Sequence, residues 1–282
     1  MLFEIVPNLS EGRDASIVAE AVEAIERAGA TLLHRTSDAV HHRSVLTIAG
    51  TADCVVEAGV ALAGVALARI DLRTHRGVHP RIGALDVLPF VPLRGATVAD
   101  AVKLAHRAGR TIWERYRIPC FYYGAAARFE ARALLASVRR GEFERLAERF
   151  ADPAWAPDEG DVGLHPTAGA IAIGAREILI AFNVELETAD LGAAREIARA
   201  IRERDGGLTT LRALAFPRND GCVQVSLNVT NYSATPLYRV VELIRALAAR
   251  RGIAVAGCEL IGLVPRAALE TSAAYYLGVP TL

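Results

Sequence analysis

The amino-terminal third of the chain alternates between short apolar runs and segments in which apolar residues recur every three or four positions. Short runs bounded by turn residues indicate strands, and a period near 3.6 indicates an amphipathic helix. The pattern predicts strands at 3–6, 31–36, 44–49 and 83–92, with helices at 14–29 and about 53–70 between them. Because Pro89 lies inside the last of these strands, we expect that strand to bend or to lie at a sheet edge.

The same order of elements returns in the last third of the chain. Strands are predicted at 178–184, 211–216, 222–228 and 254–263, and helices at 191–204 and about 236–251. The two opening strands even end alike, in Val6-Pro-Asn8 and Ala181-Phe-Asn183. We therefore predict an α/β (α+β) fold of two βαββαβ-like subdomains of related topology, at 1–177 and 178–282, with mixed sheets covered by helices.

The connection between the repeats, from about 97 to 175, is predicted to be richer in helix, with one strand at 120–123. Thr97 and Asp100 have the spacing of a capping box before a helix that continues to Tyr116. Residues 152–169 are rich in proline and glycine, which predicts a long loop. Loops of that length inside a compact domain are usually either functional or disordered. This one contains Trp155, His165 and few long charged side chains, so we expect it to have a function.

Composition narrows the function classes. Hydrophobic residues make up 52% of the chain, and the 32 basic residues balance the 32 acidic ones. A chain without basic excess is not expected to bind nucleic acid, and its longest uncharged apolar run, 58–68, is too short for a membrane span of about 20 residues. The amino terminus lacks a signal-peptide pattern and the four cysteines are widely spaced, so we expect free thiols and a cytoplasmic location.

The densest group of reactive side chains is the segment 75–83, which contains His75, Arg76, His79 and Arg81. Arginine can hold carboxylates, and histidine can move protons near neutral pH. The two histidines have the spacing of a helical metal pair, but the glycine and proline between and beside them disfavour a helix, so we expect no metal. A purely structural role, in which this basic loop caps a sheet, remains open.

Two further clusters contain polar side chains at predicted turns. The hairpin tip at 38–43 contains Asp38, two histidines and Arg43, and it fits either a solvated turn or a site. The strand-to-helix turn at 6–13 contains Asn8 and Ser10, which could bind an anion or merely cap the helix. Phosphate-loop and dinucleotide-binding glycine patterns are both missing from the sequence, so nucleotide hydrolysis and dinucleotide redox chemistry lack support.

Four blocks of sequence resemble the glutamate formiminotransferase family, which includes the formiminotransferase domain of formiminotransferase-cyclodeaminase. The blocks are Val6-Pro-Asn-Leu-Ser-Glu-Gly12, Gly77-Val-His-Pro-Arg-Ile-Gly-Ala-Leu-Asp-Val-Leu-Pro-Phe90, Tyr122-Tyr-Gly-Ala-Ala126 and Gly174-Ala-Arg-Glu-Ile-Leu-Ile-Ala-Phe-Asn183. The resemblance extends to Gly262-Leu-Val-Pro265 and so covers nearly the whole chain. It implies two related α/β subdomains with a folate between them, and transfer of a formimino group between N-formimino-glutamate and tetrahydrofolate in histidine degradation and one-carbon metabolism.

The resemblance also implies roles for individual residues. The family's catalytic histidine corresponds to His79, and Asp38 is our candidate for the carboxylate that orients it. A histidine that titrates near pH 6.5 suits proton transfer in both directions. We expect Asn8, Arg43, Arg76 and Arg81 to bind or position substrate carboxylates. The folate-contacting loop of the family corresponds to Gly160, Asp161, Val162, Gly163, Leu164, His165, Pro166, Thr167, Ala168 and Gly169.

Tetrahydrofolate, as co-substrate, is the only cofactor expected. Two departures from the bifunctional animal enzymes stand out: Val78 replaces an acidic residue, and Thr167-Ala168 replaces a Ser-Trp pair. The chain stops at Leu282, so we expect a separate cyclodeaminase to act downstream, and a homodimer is left open. The alternatives are a related folate-dependent transferase that uses formimino-glycine or 5-formyl-tetrahydrofolate, or a non-catalytic folate-binding protein; a panel of donors would separate them.

Overall fold

The computed structural model describes residues 1–161, 163–218 and 220–281. They divide into two compact units, Met1–Glu177 and Ile178–Leu282. The strands and helices of the first unit are β1 (Phe3–Ile5), β2 (Asn8–Leu9), α1 (Ala15–Arg27), β3 (Thr31–Asp38), β4 (Arg43–Gly50), α2 (Ala52–Arg69), β5 (Leu85–Pro92), α3 (Val98–Tyr116), β6 (Cys120–Gly124), α4 (Leu135–Val138), α5 (Leu146–Arg149) and β7 (Ile171–Ala175). Those of the second are β8 (Ile180–Leu186), α6 (Leu191–Ile201), β9 (Leu211–Pro217), β10 (Val223–Val229), α7 (Leu237–Ala249), β11 (Val255–Ile261) and α8 (Arg266–Leu277).

The first unit is built on a seven-stranded mixed sheet. β1 and β2 act as one interrupted strand that pairs antiparallel with β4 on one side and β5 on the other, and β3 pairs with the far edge of β4. β7 and β6 continue the sheet beyond β5 in parallel. Apolar residues on one face of this sheet pack against α1, α2 and α3, and a smaller apolar cluster lies between the other face and the segment that contains α4 and α5.

Helix starts in this unit follow the local sequence. Asp14 accepts the backbone N–H of Ser16 at the start of α1. The capping box predicted at Thr97 and Asp100 is present at the start of α3, where each side chain bonds the other residue's backbone. These interactions satisfy amide groups that have no partner inside the helix.

The prediction that Pro89 lies at a sheet edge is wrong, because β5 lies inside the sheet; the other alternative, a bend in this strand, stays a prediction. Pro89 faces the break between β1 and β2, where its carbonyl accepts the N–H of Val6 at 3.3 Å. The carbonyl of Val6 is bonded by the side-chain amide of Asn8, at 3.0 Å, and so needs no N–H from β5. The interior of this sheet therefore accommodates a proline because the neighbouring strand is interrupted opposite it.

Three elements were outside the predictions: the short strand β2, which lies in the predicted turn at 6–13, β7 and α8. β7 is buried on both faces between two parallel neighbours, so its five residues lack the polar–apolar alternation that would identify a strand. In the second unit, α8 follows the last predicted strand. The remaining elements match the predicted order, with bounds shifted by a few residues at each end.

The second unit has a four-stranded antiparallel sheet in the order β11-β8-β10-β9, with α6 and α7 packed on one face. Numbered within the unit, the strand order is fourth, first, third, second. The first unit has the same order in β5, β1 with β2, β4 and β3, to which β7 and β6 are added. The predicted α+β fold of two related βαββαβ units is thus confirmed, with one sheet mixed and one antiparallel. Within the described residues, no helix has the length and apolar character needed to cross a bilayer.

Candidate active site

Three loops meet at one end of the first unit's sheet, and they contain all three clusters found in the sequence. The N–H of Gly12 donates to Nδ1 of His42 at 3.1 Å, and Nε2 of His75 donates to the carbonyl of His42 at 3.0 Å. Arg13 reaches the carbonyl of Arg76 at 3.0 Å. The turn at 6–13, the hairpin tip at 38–43 and the segment at 75–83 therefore form one continuous region.

Two glycines allow these loops to approach so closely. A Cβ atom at Gly12 would lie 2.2 Å from the carbonyl oxygen of Asp38, and one at Gly77 would lie 2.6 Å from that of His41. Backbone atoms cannot move aside as a flexible side chain can, so a larger residue at either position would separate the loops.

His79 is half-buried and bound by Arg43. Nη1 of Arg43 donates to Nε2 of His79 at 2.6 Å and lies 3.4 Å from Oδ1 of Asn8. A guanidinium group can only donate, so Nε2 must be the unprotonated nitrogen of a neutral imidazole. Burial, followed by the positive charges of Arg43 and Arg139, lowers the pKa of His79 to about 3. The expectation of a pKa near 6.5 for His79 is therefore wrong in this structure.

Asp38 binds a different imidazole from the one expected. Its carboxylate accepts the backbone N–H groups of Val40 and His41, both at 2.8 Å, and Nδ1 of His41 at 2.9 Å. Burial alone would raise the pKa of Asp38, but these hydrogen bonds lower it overall. The ring of His41 stands edge-on to that of His79, with centroids 6.5 Å apart. Asp38 thus orients the neighbour of His79 in this structure.

Arg81 was expected to hold a substrate carboxylate, but the protein's own side chains occupy it. Its Nε donates to Nδ1 of the buried His75 at 3.1 Å, and its terminal nitrogens donate to Glu142 at 3.1 Å and to Glu144 at 2.6 and 2.8 Å. Only 6% of Arg81 is exposed. Arg81 therefore ties the 75–83 segment to residues 142–144 and has little capacity left for a ligand.

The other basic side chains of the cluster have different surroundings. Arg76 is exposed and donates to the backbone carbonyls of Arg73 at 3.2 Å and His75 at 2.7 Å. The rings of His42 and His75 are stacked with centroids 4.3 Å apart, and burial lowers the pKa of both. This neutral pair holds the loops together, while Arg76 remains accessible to an anion.

Asp86 and Arg139 belong to the site but were missed in the sequence. Asp86 is buried in β5, where Oδ1 accepts the backbone N–H of Ile82 at 2.7 Å and Oδ2 binds Nη2 of Arg139. Arg139 follows directly after α4. Asp86 is the one charged residue in the apolar run 83–92, a signal that could have marked it. Arg139 lies in a segment without a distinctive pattern.

The predicted folate loop is only partly open to a ligand. His165 and Gly169 bond each other's backbones at 2.9 and 3.0 Å, and Nδ1 of His165 accepts the N–H of Ala168 at 3.2 Å. The carbonyls of Thr167 and Ala168 accept N–H groups of Leu72 and Ala84, both at 2.9 Å. The side chain of Ala168 is buried in the core and cannot contact a ligand, which corrects the expectation for that residue. Val162 lies outside the described residues.

The start of this loop is anchored by a buried ion pair. Arg132 donates to Asp158 at 2.8 Å, and the same carboxylate oxygen accepts the N–H of Tyr122 at 2.8 Å. The side chains of Arg132 and Asp158 are 2% and 0% exposed. The residues that lead into the loop are therefore held against β6, and the loop returns to the sheet at Gly169.

An open cavity of about 1210 Å³ borders the 75–83 segment and the loop. Its apolar walls include Leu72, Val78, Phe143 and Leu164, and Arg76 is among its charged lining residues. The volume exceeds the roughly 300–1,000 Å³ typical of small-molecule sites. Within the described part of the chain, no group of three or more metal-ligating side chains is suitably placed for a metal ion. The expectation of a metal-free site stays a prediction.

Comparison with known proteins gives consistent matches along the chain. Residues 2–176 match the family model described as the formiminotransferase domain, N-terminal subdomain, and residues 181–280 match the formiminotransferase domain model. A glutamate formimidoyltransferase of Streptococcus pyogenes serotype M1 is 41% identical over 280 residues, which cover 99% of this chain and 94% of that protein. One from Thermoplasma acidophilum is 43% identical over 280 residues, covering 98% and 92%. The formimidoyltransferase-cyclodeaminase of Rattus norvegicus is 37% identical, and the match covers 52% of its length.

Proposed function

The chain belongs to the formiminotransferase family, and we propose that it moves the formimino group between N-formimino-L-glutamate and tetrahydrofolate, giving 5-formiminotetrahydrofolate and glutamate. The observation that carries the proposal is the identity of 41% and 43%, over nearly the full length of both partners, with two curated glutamate formimidoyltransferases. The enzyme is therefore a transferase of one-carbon groups. The match to the formimidoyltransferase-cyclodeaminase of Rattus norvegicus covers 52% of that protein.

The reaction needs a group that relocates a proton. A ring nitrogen of tetrahydrofolate attacks the formimino carbon, and the tetrahedral species collapses by expelling the nitrogen of glutamate. One proton leaves the attacking nitrogen and one reaches the departing nitrogen. Neutral His79 has an unprotonated Nε2 that can accept the first and return the second. Its low pKa makes it a weak base until Arg43 releases Nε2, so we assign this release to substrate binding.

We assign folate contacts to the accessible part of the loop at 160–169. Leu164 lines the cavity beside the 75–83 segment, and His165 is half-buried with its Nδ1 engaged by the turn. Arg43 and Arg76 remain our candidates for substrate carboxylates, together with Asn8 as a positioning residue. The described cysteines are all free thiols, which supports placing this reaction in the reducing cytoplasm.

Incubation of the purified chain with N-formimino-glutamate and tetrahydrofolate tests the proposal, with glutamate and 5-formiminotetrahydrofolate followed by mass spectrometry. We expect equal amounts of both products, and none when either substrate is omitted. Parallel reactions with formimino-glycine and with 5-formyl-tetrahydrofolate test whether the chain is instead a related folate-dependent transferase that prefers one of these donors. A higher kcat/KM with formimino-glycine, or folate binding without any transfer, would contradict the proposal.

A further inference from the structure

Arg43 is a half-buried cation whose hydrogen-bond partners are neutral. Its Nη1 bonds His79 and approaches the amide oxygen of Asn8. Among the residues that the structure describes, no carboxylate lies within ion-pair distance of Arg43. By contrast, the buried Arg81 binds two carboxylates and the buried Arg132 binds one. Burial lowers the pKa of Arg43, as expected for a cation that lacks a direct counter-ion.

Arg139 belongs to the same site and also has an N–H group without an acceptor among the described residues. Its Nη2 binds Asp86, and its side chain is 14% exposed. The Nε atom of Arg139 is buried without a hydrogen-bond partner among the described residues. Buried N–H groups are nearly always paired, so this Nε–H is a donor still available to an acceptor.

The register of the sheet brings Arg43 close to Asp86, the carboxylate that binds Arg139. Arg43 begins β4, and Asn8 in β2 stands between Val45 of β4 and Val87 of β5. Asp86, which binds Arg139, directly precedes Val87, and it also holds the backbone of Ile82. The positive charge of Arg139 lowers the pKa of both Arg43 and His79, as expected for close neighbours.

The positive charges of Arg43 and Arg139 are not fully balanced by carboxylates nearby. The carboxylates that act on Arg43 are those of Asp86 and Asp38. Asp86 is bound to Arg139, and Asp38 is bound to His41. Two guanidinium groups therefore share one closely bound carboxylate, which leaves one positive charge without a direct counter-ion. Arginine forks favour planar carboxylates through paired hydrogen bonds.

We propose that Arg139, together with Arg43, binds the α-carboxylate of the formimino donor; the inference rests on the proposed function. In the donor, this carboxylate is joined to the formimino carbon through one nitrogen and one carbon, so it must lie close to the base that serves that carbon. The carboxylates of folate lie beyond an aminobenzoyl ring and an amide, far from the reacting nitrogen. Because Arg43 touches His79, a carboxylate bound here fits the donor.

The same contact would activate His79. A carboxylate bound by Arg43 and Arg139 draws the Arg43 N–H away from Nε2 of His79 and compensates the charge that disfavours its protonated form. Donor binding then raises the pKa of His79 toward the range in which a general base works well. His79 becomes a competent base only when the donor is in place.

Steady-state kinetics of an Arg139→Gln variant test the assignment. The donors are N-formimino-glutamate and its α-carboxamide analogue, N-formimino-isoglutamine, each with tetrahydrofolate. We expect a KM for N-formimino-glutamate raised about 10- to 100-fold, the range for a hydrogen bond to a charged group. The KM for tetrahydrofolate should stay unchanged. The KM for the α-carboxamide donor should rise little in the variant, because this donor lacks the negative charge that Arg139 would bind. Arg139→Lys should recover part of the loss, and Arg140→Gln, at the exposed neighbouring arginine, should behave as wild type.

Other outcomes would overturn the assignment. Equal losses with both donors would make Arg139 a structural partner of Asp86, and a raised KM for tetrahydrofolate would give the subsite to folate. Calorimetric titration with N-formimino-glutamate compares wild type and Arg139→Gln without turnover. Weaker binding to the variant would support the subsite even if wild type catalyses no transfer. Absence of transfer by wild type would refute only the proposed reaction. If Arg139→Gln does not fold, Arg139→Lys and the donor selectivity of wild type decide the question, and wild type that does not distinguish the two donors refutes it.

Discussion

Replacing Arg43 by methionine should raise the pKa of His79. The substitution removes the N–H that occupies Nε2, and with it the positive charge of a guanidinium whose Nη1 lies 2.6 Å from that atom. For charges about 4 Å apart and an effective dielectric constant of about 20, one unit charge contributes about 4 kcal/mol, which is about a thousandfold in proton affinity. His79 is partly exposed, so solvent screening reduces this effect, and burial and Arg139 still act on the ring. We expect the pKa to rise from about 3 into the range of about 4 to 5.

The assay is an NMR titration of the His79 imidazole, assigned by comparison with His79→Gln. Wild type should show no titration of His79 above about pH 4, whereas Arg43→Met should show one. Arg76→Met is the matched control, because Arg76 is exposed and donates to backbone carbonyls instead of to His79. An unchanged or lower pKa of His79 in Arg43→Met would refute the reasoning.

The low pKa of His79 also makes the stability of the fold depend on pH. The pKa of His79 is lower in the folded state than in the unfolded chain, where it is about 6.5, so the unfolded chain binds the proton more readily. The contribution of His79 to the free energy of unfolding is therefore complete above pH 6.5 and is lost as the pH falls from about 6.5 toward 3. Arg43→Met should flatten that acid-side loss, and chemical denaturation at several pH values would measure the difference.

Three other predictions concern the loop, the buried ion pairs and metals. His165→Ala should weaken tetrahydrofolate binding about tenfold, the scale of one lost hydrogen bond, with little effect on Tm; unchanged affinity with a lower Tm would make the loop structural. Arg132→Met should cost about 3–5 kcal/mol in the free energy of unfolding, because it strands the buried charge of Asp158, whereas Arg81→Met should cost less, since its glutamate partners are 43% and 57% exposed. Equal costs in urea unfolding would contradict the burial argument. Dialysis against EDTA should leave transfer activity intact, and activity that vanished and returned with zinc would make the histidines ligands.

The order of elements could be predicted because helices and half-buried strands impose different periods on the sequence. The exceptions have physical reasons: β7 is buried on both faces, and Pro89 is tolerated inside the sheet because β1 and β2 are interrupted opposite it. Both depend on what lies beside a strand, which the strand's own residues do not reveal.

The candidate site was likewise predictable only in part. Residue types located the three loops, because histidine, arginine and aspartate cluster at turns beside strands. The side chains that bind the residues of these loops could not be predicted, because they come from a segment some sixty residues further along the chain that lacks a clear period. Arg81 is neutralised by Glu142 and Glu144, and Arg139 approaches from the same region to bind Asp86. Arg81 is therefore not available for the role expected of it, which we assign to Arg43 and Arg139.

Formimino transfer by wild type and by His79→Ala, measured side by side, tests the central claim most directly. We expect wild type to convert N-formimino-glutamate and tetrahydrofolate to glutamate and 5-formiminotetrahydrofolate, and His79→Ala to lose at least about 100-fold in kcat, the lower end for a general acid–base group. Folate affinity, measured by calorimetry, should be nearly the same in both proteins. Near-normal turnover by a folded His79→Ala protein would contradict the account.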